Sequence, residues 1–234
     1  MTPDRLARLP LRAELYLVAH DDDRGTAHIH PRVLAVGLAG AVLLELWLAG
    51  RVYPGWRFDT AGGRWVPGPG QLPVVVPHPV GDPLTDAALA VVRSVRRSSP
   101  PEHQLRDWLR QFAFTDPYER VRADMIAAGV LRRTTKRRYG VARDRYLAAD
   151  AAWAVRVRAR VRSAVTAGVP DRQCTALCGL VDVLELVPYL YSPGLTAGRF
   201  RRWLDRATRE EDLAVREVVA AVDASRGDLA VTAR

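Results

Sequence analysis

Three small sets of side chains in this sequence have the types and spacing to attempt chemistry. The first is the thiol pair Cys174 and Cys178, the only cysteines. Four residues apart in an apolar stretch, they fall on one stripe of a helix. Without a nearby His or a further Cys they do not complete a zinc site. They read as core residues of a protein kept in a reducing compartment. The second set is His28-x-His30, which an extended segment turns to one side, but no third ligand lies within reach in sequence. The third is acidic. Glu45, Asp182 and Glu185 sit among Leu and Val, where helix-borne carboxylates pair with a neighbouring Arg more often than they do acid–base work. Asp21-Asp22-Asp23 lacks the spaced ligands and closing Glu of a calcium loop and reads as a solvated turn. No G-x-S-x-G, H-E-x-x-H or phosphate-loop pattern occurs. The expectation is a non-enzymatic protein with no cofactor and no metal.

The large set is cationic. The net charge is +9, and 34 of the 35 basic residues are Arg. Residues 130 to 168 hold eleven of them (Arg132, Arg133, Lys136, Arg137, Arg138, Arg143, Arg145, Arg156, Arg158, Arg160 and Arg162) against Asp144 and Asp150. That segment therefore nets 11 − 2 = +9, and the rest of the chain balances to zero. Such a block attracts a phosphate-bearing partner, either anionic lipid headgroups or nucleic acid.

The elements that must carry these groups are mostly helical. At 234 residues and 48% hydrophobic content the chain is long and apolar enough for a stable core, read as one domain over 1–234. Leu9 to Val18 has amphipathic spacing. Pro31 opens an apolar helix to residue 49. Its 17-residue stretch Val33 to Ala49 is at the short limit for crossing a bilayer and carries Glu45, so it reads as a buried core helix. Residues 1–10, with Asp4, Arg5, Arg8 and Pro10, do not read as a secretory leader. Residues 51–76 are rich in Pro and Gly, with short strands expected near 51–53, 56–59, 64–67 and 73–76. Asp82-Pro83 and Asp116-Pro117 each start a helix, and Ser99 with Glu102 forms a capping box for another. Gly129 closes the helix before it. A short β-hairpin over about 130–142 follows, with Arg132, Arg133, Lys136, Arg137 and Arg138 at its tip. VRVRARVR at 155–162 alternates like a strand, yet Trp153, Val157, Val161 and Val165 keep helical spacing, which decides for helix. Helices over about 171–187 and 198–224 complete the chain. The fold class is mainly all-α, with amphipathic helices around a central apolar helical bundle.

A capped helix followed by a basic hairpin also suits a winged-helix nucleic-acid binder. The helix before the hairpin, however, offers Tyr118, Glu119, Arg122 and Asp124, two of them acidic, which is poor equipment for reading bases. The membrane leaflet is the better partner. Trp56, Phe58 and Trp65 either grip the membrane interface or pack the small sheet. The hairpin charges leave two uses: meeting an anionic surface, or meeting Glu210-Glu211-Asp212 of a second copy in a homo-oligomer.

Several blocks, in order, resemble the Golgi phosphoprotein 3-like family. They are GLAGAVLLELWLAGRV (Gly37 to Val52), where the family has a Gly-Leu-x-Gly turn into an apolar helix, and DPLTDAALAVVRS (Asp82 to Ser94). Pro100 to Trp108, Arg120 to Leu131, Asp171 to Leu177 and Val215 to Val222 follow. The resemblance spans roughly residues 8–224 and implies a compact, almost all-α adaptor. It also implies peripheral association with the cytosolic face of a membrane through phosphatidylinositol 4-phosphate. The four family headgroup positions fall on His30, Ala39, Thr115 and Tyr118, and none keeps the family residue. Arg32, Arg120 and Arg122 lie nearby as substitutes. The expectation is charge-governed binding to anionic phospholipid with little discrimination of the phosphoinositide.

Overall fold

The computed structural model describes residues 8–138, 141–168, 170–191, 194–208 and 213–232. In chain order these form α1 (Leu11–Val18), α2 (Pro31–Leu48), β1 (Trp56–Asp59), β2 (Arg64–Pro67), α3 (Pro83–Ser98), α4 (Gln104–Ala113) and α5 (Pro117–Ala127). Then come β3 (Leu131–Arg138), β4 (Val141–Ala148), α6 (Ala152–Ala167), α7 (Arg172–Val183), α8 (Ala197–Ala207) and α9 (Leu213–Thr232). The architecture is mainly helical with two separate two-stranded antiparallel sheets. α2 is the hub, packed against α1, α3, α4, α5, α7 and α9. Its apolar surface runs all round, as a helix enclosed by others requires, and Leu34, Leu38, Leu43, Leu44 and Leu46 are fully buried.

Close approach at the hub is set by two glycines. A Cβ on Gly37 would lie 2.5 Å from a Leu184 methyl, and one on Gly40 2.8 Å from Val222. The Gly-Leu-x-Gly block is therefore the interior of α2, inside the helix expected from Pro31 to residue 49, where α7 and α9 press in. Three expectations are corrected. Ser99 ends α3 with extended backbone, as a residue before Pro tends to, and Pro101–His103 form a 3-10 turn before α4, so no capping box forms. The strands expected at 51–53 and 73–76 shrink to one bridge, Val52 to Val74, between prolines that break a ladder. The single helix expected over 198–224 is two. The polar run from Thr208 to Asp212 separates Leu204 from Leu213, Thr208 is extended, and its hydroxyl returns to the Leu204 carbonyl.

Two buried polar centres tie the helices together. Arg12 on α1 donates its backbone N–H to Glu45 Oε1 at 2.8 Å and its guanidinium to Glu45 Oε2 and, at 2.6 Å, to Asp82. Asp124 of α5 lies 3.9 Å away. Asp82 also caps α3 through the Thr85 N–H, so one arginine joins four helices. At the other end of α1, Arg158 of α6 donates to the carbonyls of Leu17 and His20 and pairs with Asp22 at 2.5 Å. The acidic turn is thus not merely solvated, since Asp22 is the counter-ion of a buried guanidinium. Beside it His20 Nδ1 lies 2.7 Å from the Tyr16 carbonyl, which makes it the donor, so Nε2 accepts from the Tyr118 hydroxyl at 2.9 Å. The ring stacks on Tyr16 at 3.8 Å.

Removing Arg12 strands Glu45 in the core. Arg12→Ala is expected to lower unfolding free energy by about 3–5 kcal/mol, and Arg12→Met with Glu45→Leu to recover part of it. Urea unfolding measures both, and a loss below about 1 kcal/mol in the single variant would refute the central role of the cluster. His20 gives a pH test. Burial pushes its pKa down to about 4, below the ordinary value near 6.5. The folded state therefore binds its proton less readily than the unfolded chain. Stability from this group is full above about 6.5 and falls as pH drops toward 4, by up to about 3 kcal/mol. His20→Gln should flatten that part of the stability profile.

Candidate anionic-lipid interface

α1 begins beside the ends of α2 and α5, at Glu45 and Asp124, and finishes beside the start of α5, at Tyr118. The turn after α1 folds back, His28 N–H to Ala19 carbonyl at 2.8 Å, and delivers the chain into the start of α2. The starts of α2 and α5 therefore share one end of the molecule. Three of the four family headgroup positions gather at that end. His30 caps α2, its Nδ1 accepting the Arg32 N–H at 3.2 Å, and both residues are exposed. Thr115 is exposed in the α4–α5 connection and donates its hydroxyl to the Phe112 carbonyl at 2.8 Å. Tyr118 is half-buried on His20. Ala39 does not join them, because it is fully buried inside α2.

The proposed substitutes divide in the same way. Arg32 is exposed and Arg120 half-buried. Arg122 is already engaged. Its guanidinium lies 3.9 Å from the centre of the Tyr146 ring, 5.6 Å from that of Tyr118, and pairs with Glu119. A cation held between two aromatic faces and a carboxylate is a structural clamp. It pins β4 to α5, and so fixes the base of the hairpin.

The hairpin itself is longer than expected, pairing Leu131 with Ala148 through to Arg138 with Val141. Directly paired positions share a face, and alternate pairs take opposite faces. One face carries positions 132, 134, 136, 138, 141, 143, 145 and 147, of which five are Arg or Lys and none is acidic. The other face holds Asp144. This carboxylate accepts from Arg133 at 2.5 Å and from the Thr135 hydroxyl at 2.8 Å, bonds that hold its pKa below the usual range. The turn residues 139–140 lie outside the described residues, as does the acidic run Glu210-Glu211-Asp212.

Not all of the basic block is free charge. Arg158 is 4% exposed and bound to Asp22, and Arg160 pairs with Glu14, itself 1% exposed. Burial pushes the Glu14 carboxyl up, against the pull of Arg160 and Arg8. α6 thus spends two arginines on the core, while its Arg156 is exposed, as are Arg132 and Arg133 at the base of the hairpin. The other candidate sets are buried or have partners within the fold. Cys174 and Cys178 are buried free thiols on α7. Asp182 pairs with Arg201 at 2.9 Å and Glu185 with Arg226 at 2.7 Å. His28 stacks on Tyr189 at 3.8 Å while His30 caps α2. No metal-binding group of His, Cys, Asp and Glu occurs among the described residues.

One residue escaped the sequence reading. Phe114, in the same connection as Thr115, is 85% exposed, the most exposed large hydrophobic side chain described. Its signal was a Phe standing after the helical stripe Leu105, Trp108, Leu109 and Phe112 had ended. Phe58 and Trp65 are also exposed, but they pack edge to face at 5.5 Å, and Tyr53 stacks on Trp65.

No curated protein matches the chain. A family model described as Golgi phosphoprotein 3 (GPP34) matches residues 11–225, from the first turn of α1 to the middle of α9. That match covers the hub helix, the Arg12 cluster, the clamp and the hairpin, and the chain belongs to the Golgi phosphoprotein 3 family.

Proposed function

We propose that this protein is a non-catalytic adaptor that docks peripherally on anionic phospholipid from the cytoplasmic side. Family membership supports a lipid-binding role of this kind. The observation that carries the reading is the hairpin: a ribbon anchored at its base by Arg122 and Tyr146, with five cationic positions and no acid on one face. Anionic leaflets attract such a surface by about 1 kcal/mol per Lys or Arg. Phe114 supplies an apolar anchor at the end where His30, Arg32 and Thr115 are also exposed. With one headgroup position, Ala39, buried and one of the substitutes, Arg122, already engaged, charge governs binding more than headgroup identity.

Changing Arg132, Lys136, Arg138, Arg143 and Arg145, the five cationic positions of that face, all to Ser should sharply reduce sedimentation with phosphatidylserine vesicles. Thermal stability and solution size should stay as in wild type. Unchanged binding would remove the hairpin from the function, and a smaller solution species would favour the homo-oligomer use of the hairpin. Duplex DNA titrated beside the vesicles at physiological salt separates the nucleic-acid alternative, since tighter, sequence-dependent DNA binding would replace the membrane reading.

Phe114→Ser should weaken vesicle binding about tenfold, the transfer of one aromatic side chain, with no loss of stability. Vesicles matched for charge, with phosphatidylserine or phosphatidylinositol 4-phosphate as the source, should bind nearly equally. A clear preference for the phosphoinositide at matched charge would restore a specific pocket.

A further inference from the structure

α8 presents two contrasting faces. On one, Arg201 meets Asp182 of α7 in a cleft of mixed charge that Asp205, Asp223 and Arg226 also line. On the other, Arg199, Arg202, Trp203 and Arg206 follow the i, i+3, i+4, i+7 spacing of a single helical stripe. They face a cleft of about 530 Å³ whose far wall is Arg162, Val165 and Thr166 of α6. Four guanidinium groups line this space, and none of its described lining residues is acidic. Among the described residues no carboxylate pairs with any of the four, in contrast to the paired arginines on α6 and on the opposite face of α8.

The groups are also positioned. Arg199 Nη1 donates to the Gly194 carbonyl at 2.9 Å, and its backbone N–H is held by the Thr196 hydroxyl at 3.3 Å. Arg162 reaches the Tyr191 carbonyl at 3.5 Å. Each spends one donor on the chain and keeps the rest. Arg202 and Arg206 are exposed. Four like charges around one cleft repel one another unless an anion joins them. Guanidinium forks match phosphate oxygens two at a time.

We propose that the α6–α8 cleft binds an anion carrying two adjacent phosphates. A single phosphate dianion leaves about half of this charge unmet, whereas a diphosphate, with three to four negative charges, balances it. Val165, Leu195 and Trp203 add an apolar wall beside the cations, suited to the organic part of a diphosphate ester. The cleft uses none of the hairpin, α2 or α5, and the inference does not rest on the docking reading.

Titration calorimetry at physiological salt tests it with two probes, inorganic pyrophosphate and vesicles doped with a prenyl diphosphate. Wild type should bind at least one of them. Arg202→Gln with Arg206→Gln should weaken that binding by about tenfold or more. Arg96→Gln with Arg97→Gln removes the same net charge from α3 and should leave it unchanged, as should the fivefold hairpin variant for pyrophosphate. In the fivefold hairpin variant, tighter binding to the doped vesicles than to free pyrophosphate identifies a lipid-borne ligand, and the reverse a soluble one. The proposal is overturned if neither probe binds wild type, or if the α8 and α3 variants lose affinity equally. Circular dichroism confirms that each variant is folded before its result is scored.

Discussion

Arg12 sits where four helices would otherwise have only apolar reasons to meet. Burial of hydrophobic area is non-directional, and a hub such as α2, apolar on every side, could pack in many rotational settings. An ion cluster has fewer solutions. The guanidinium must satisfy Glu45 of α2, Asp82 at the start of α3 and the approach of Asp124 on α5, while its backbone N–H binds Glu45 as well. Each contact fixes a rotation and a translation along a helix. The desolvation cost of such a cluster is large, so its contribution lies less in net stability than in selecting one arrangement. Once α1 is set, the stack of Tyr16, His20 and Tyr118 and the Arg158–Asp22 pair follow at its far end.

The exposed features inherit their geometry from this frame. α5 is placed by Asp124 at one end and Tyr118 at the other, and Arg122 between them carries the hairpin through Tyr146. A hairpin of eight-residue strands has little core of its own and is marginal in isolation. The aromatic clamp, with Leu131 buried at the base, gives it a fixed root. The charge that looked like one block in sequence is divided by the same packing. Arg158 and Arg160 turn inward to Asp22 and Glu14, Arg132 and Arg133 of the hairpin are exposed, and Arg162 belongs to the cleft against α8.

Helix starts at Asp82-Pro83 and Asp116-Pro117 were legible because capping is local chemistry, complete within four residues. The hub helix was legible from its composition, and VRVRARVR resolved as helix because the wider spacing outweighed the alternation. The failures had two kinds of cause. At Ser99 and Thr208 the deciding chemistry was local, a following Pro and a hydroxyl returning to the Leu204 carbonyl, whereas for Ala39 and for the counter-ions of Arg158 and Arg160 the deciding contact lay far away in sequence. Ser99 satisfies the capping-box pattern, yet it ends α3 in extended backbone ahead of Pro100 and Pro101, and a 3-10 turn precedes α4. Gly37 and Gly40 fall inside the helix expected over 31–49, but the pressure of Leu184 and Val222 that keeps them small is invisible locally. Ala39 aligned with a headgroup position but lies on the inner surface of α2.

The same distinction explains why a net charge located in sequence overstates a binding surface. Eleven cations against two acids within residues 130–168 counts only local counter-ions, and the structure supplies Asp22 and Glu14 from the first 25 residues. What stays unneutralised is set by which helix faces find acids across the fold. On the hairpin one face finds Asp144, and the other holds five cationic positions and no acidic one. On α8 one face finds Asp182, and the other meets Arg162, Val165 and Thr166 across the cleft, with no acid among the described lining residues. Two separate concentrations of positive charge therefore survive folding. They differ in shape, a ribbon open to a plane and a cleft that encloses, and shape decides what an Arg cluster can hold. A ribbon meets a surface of many weak, interchangeable charges. A cleft lined from two helices gains its full electrostatic return only when one compact ligand brings several charges at once.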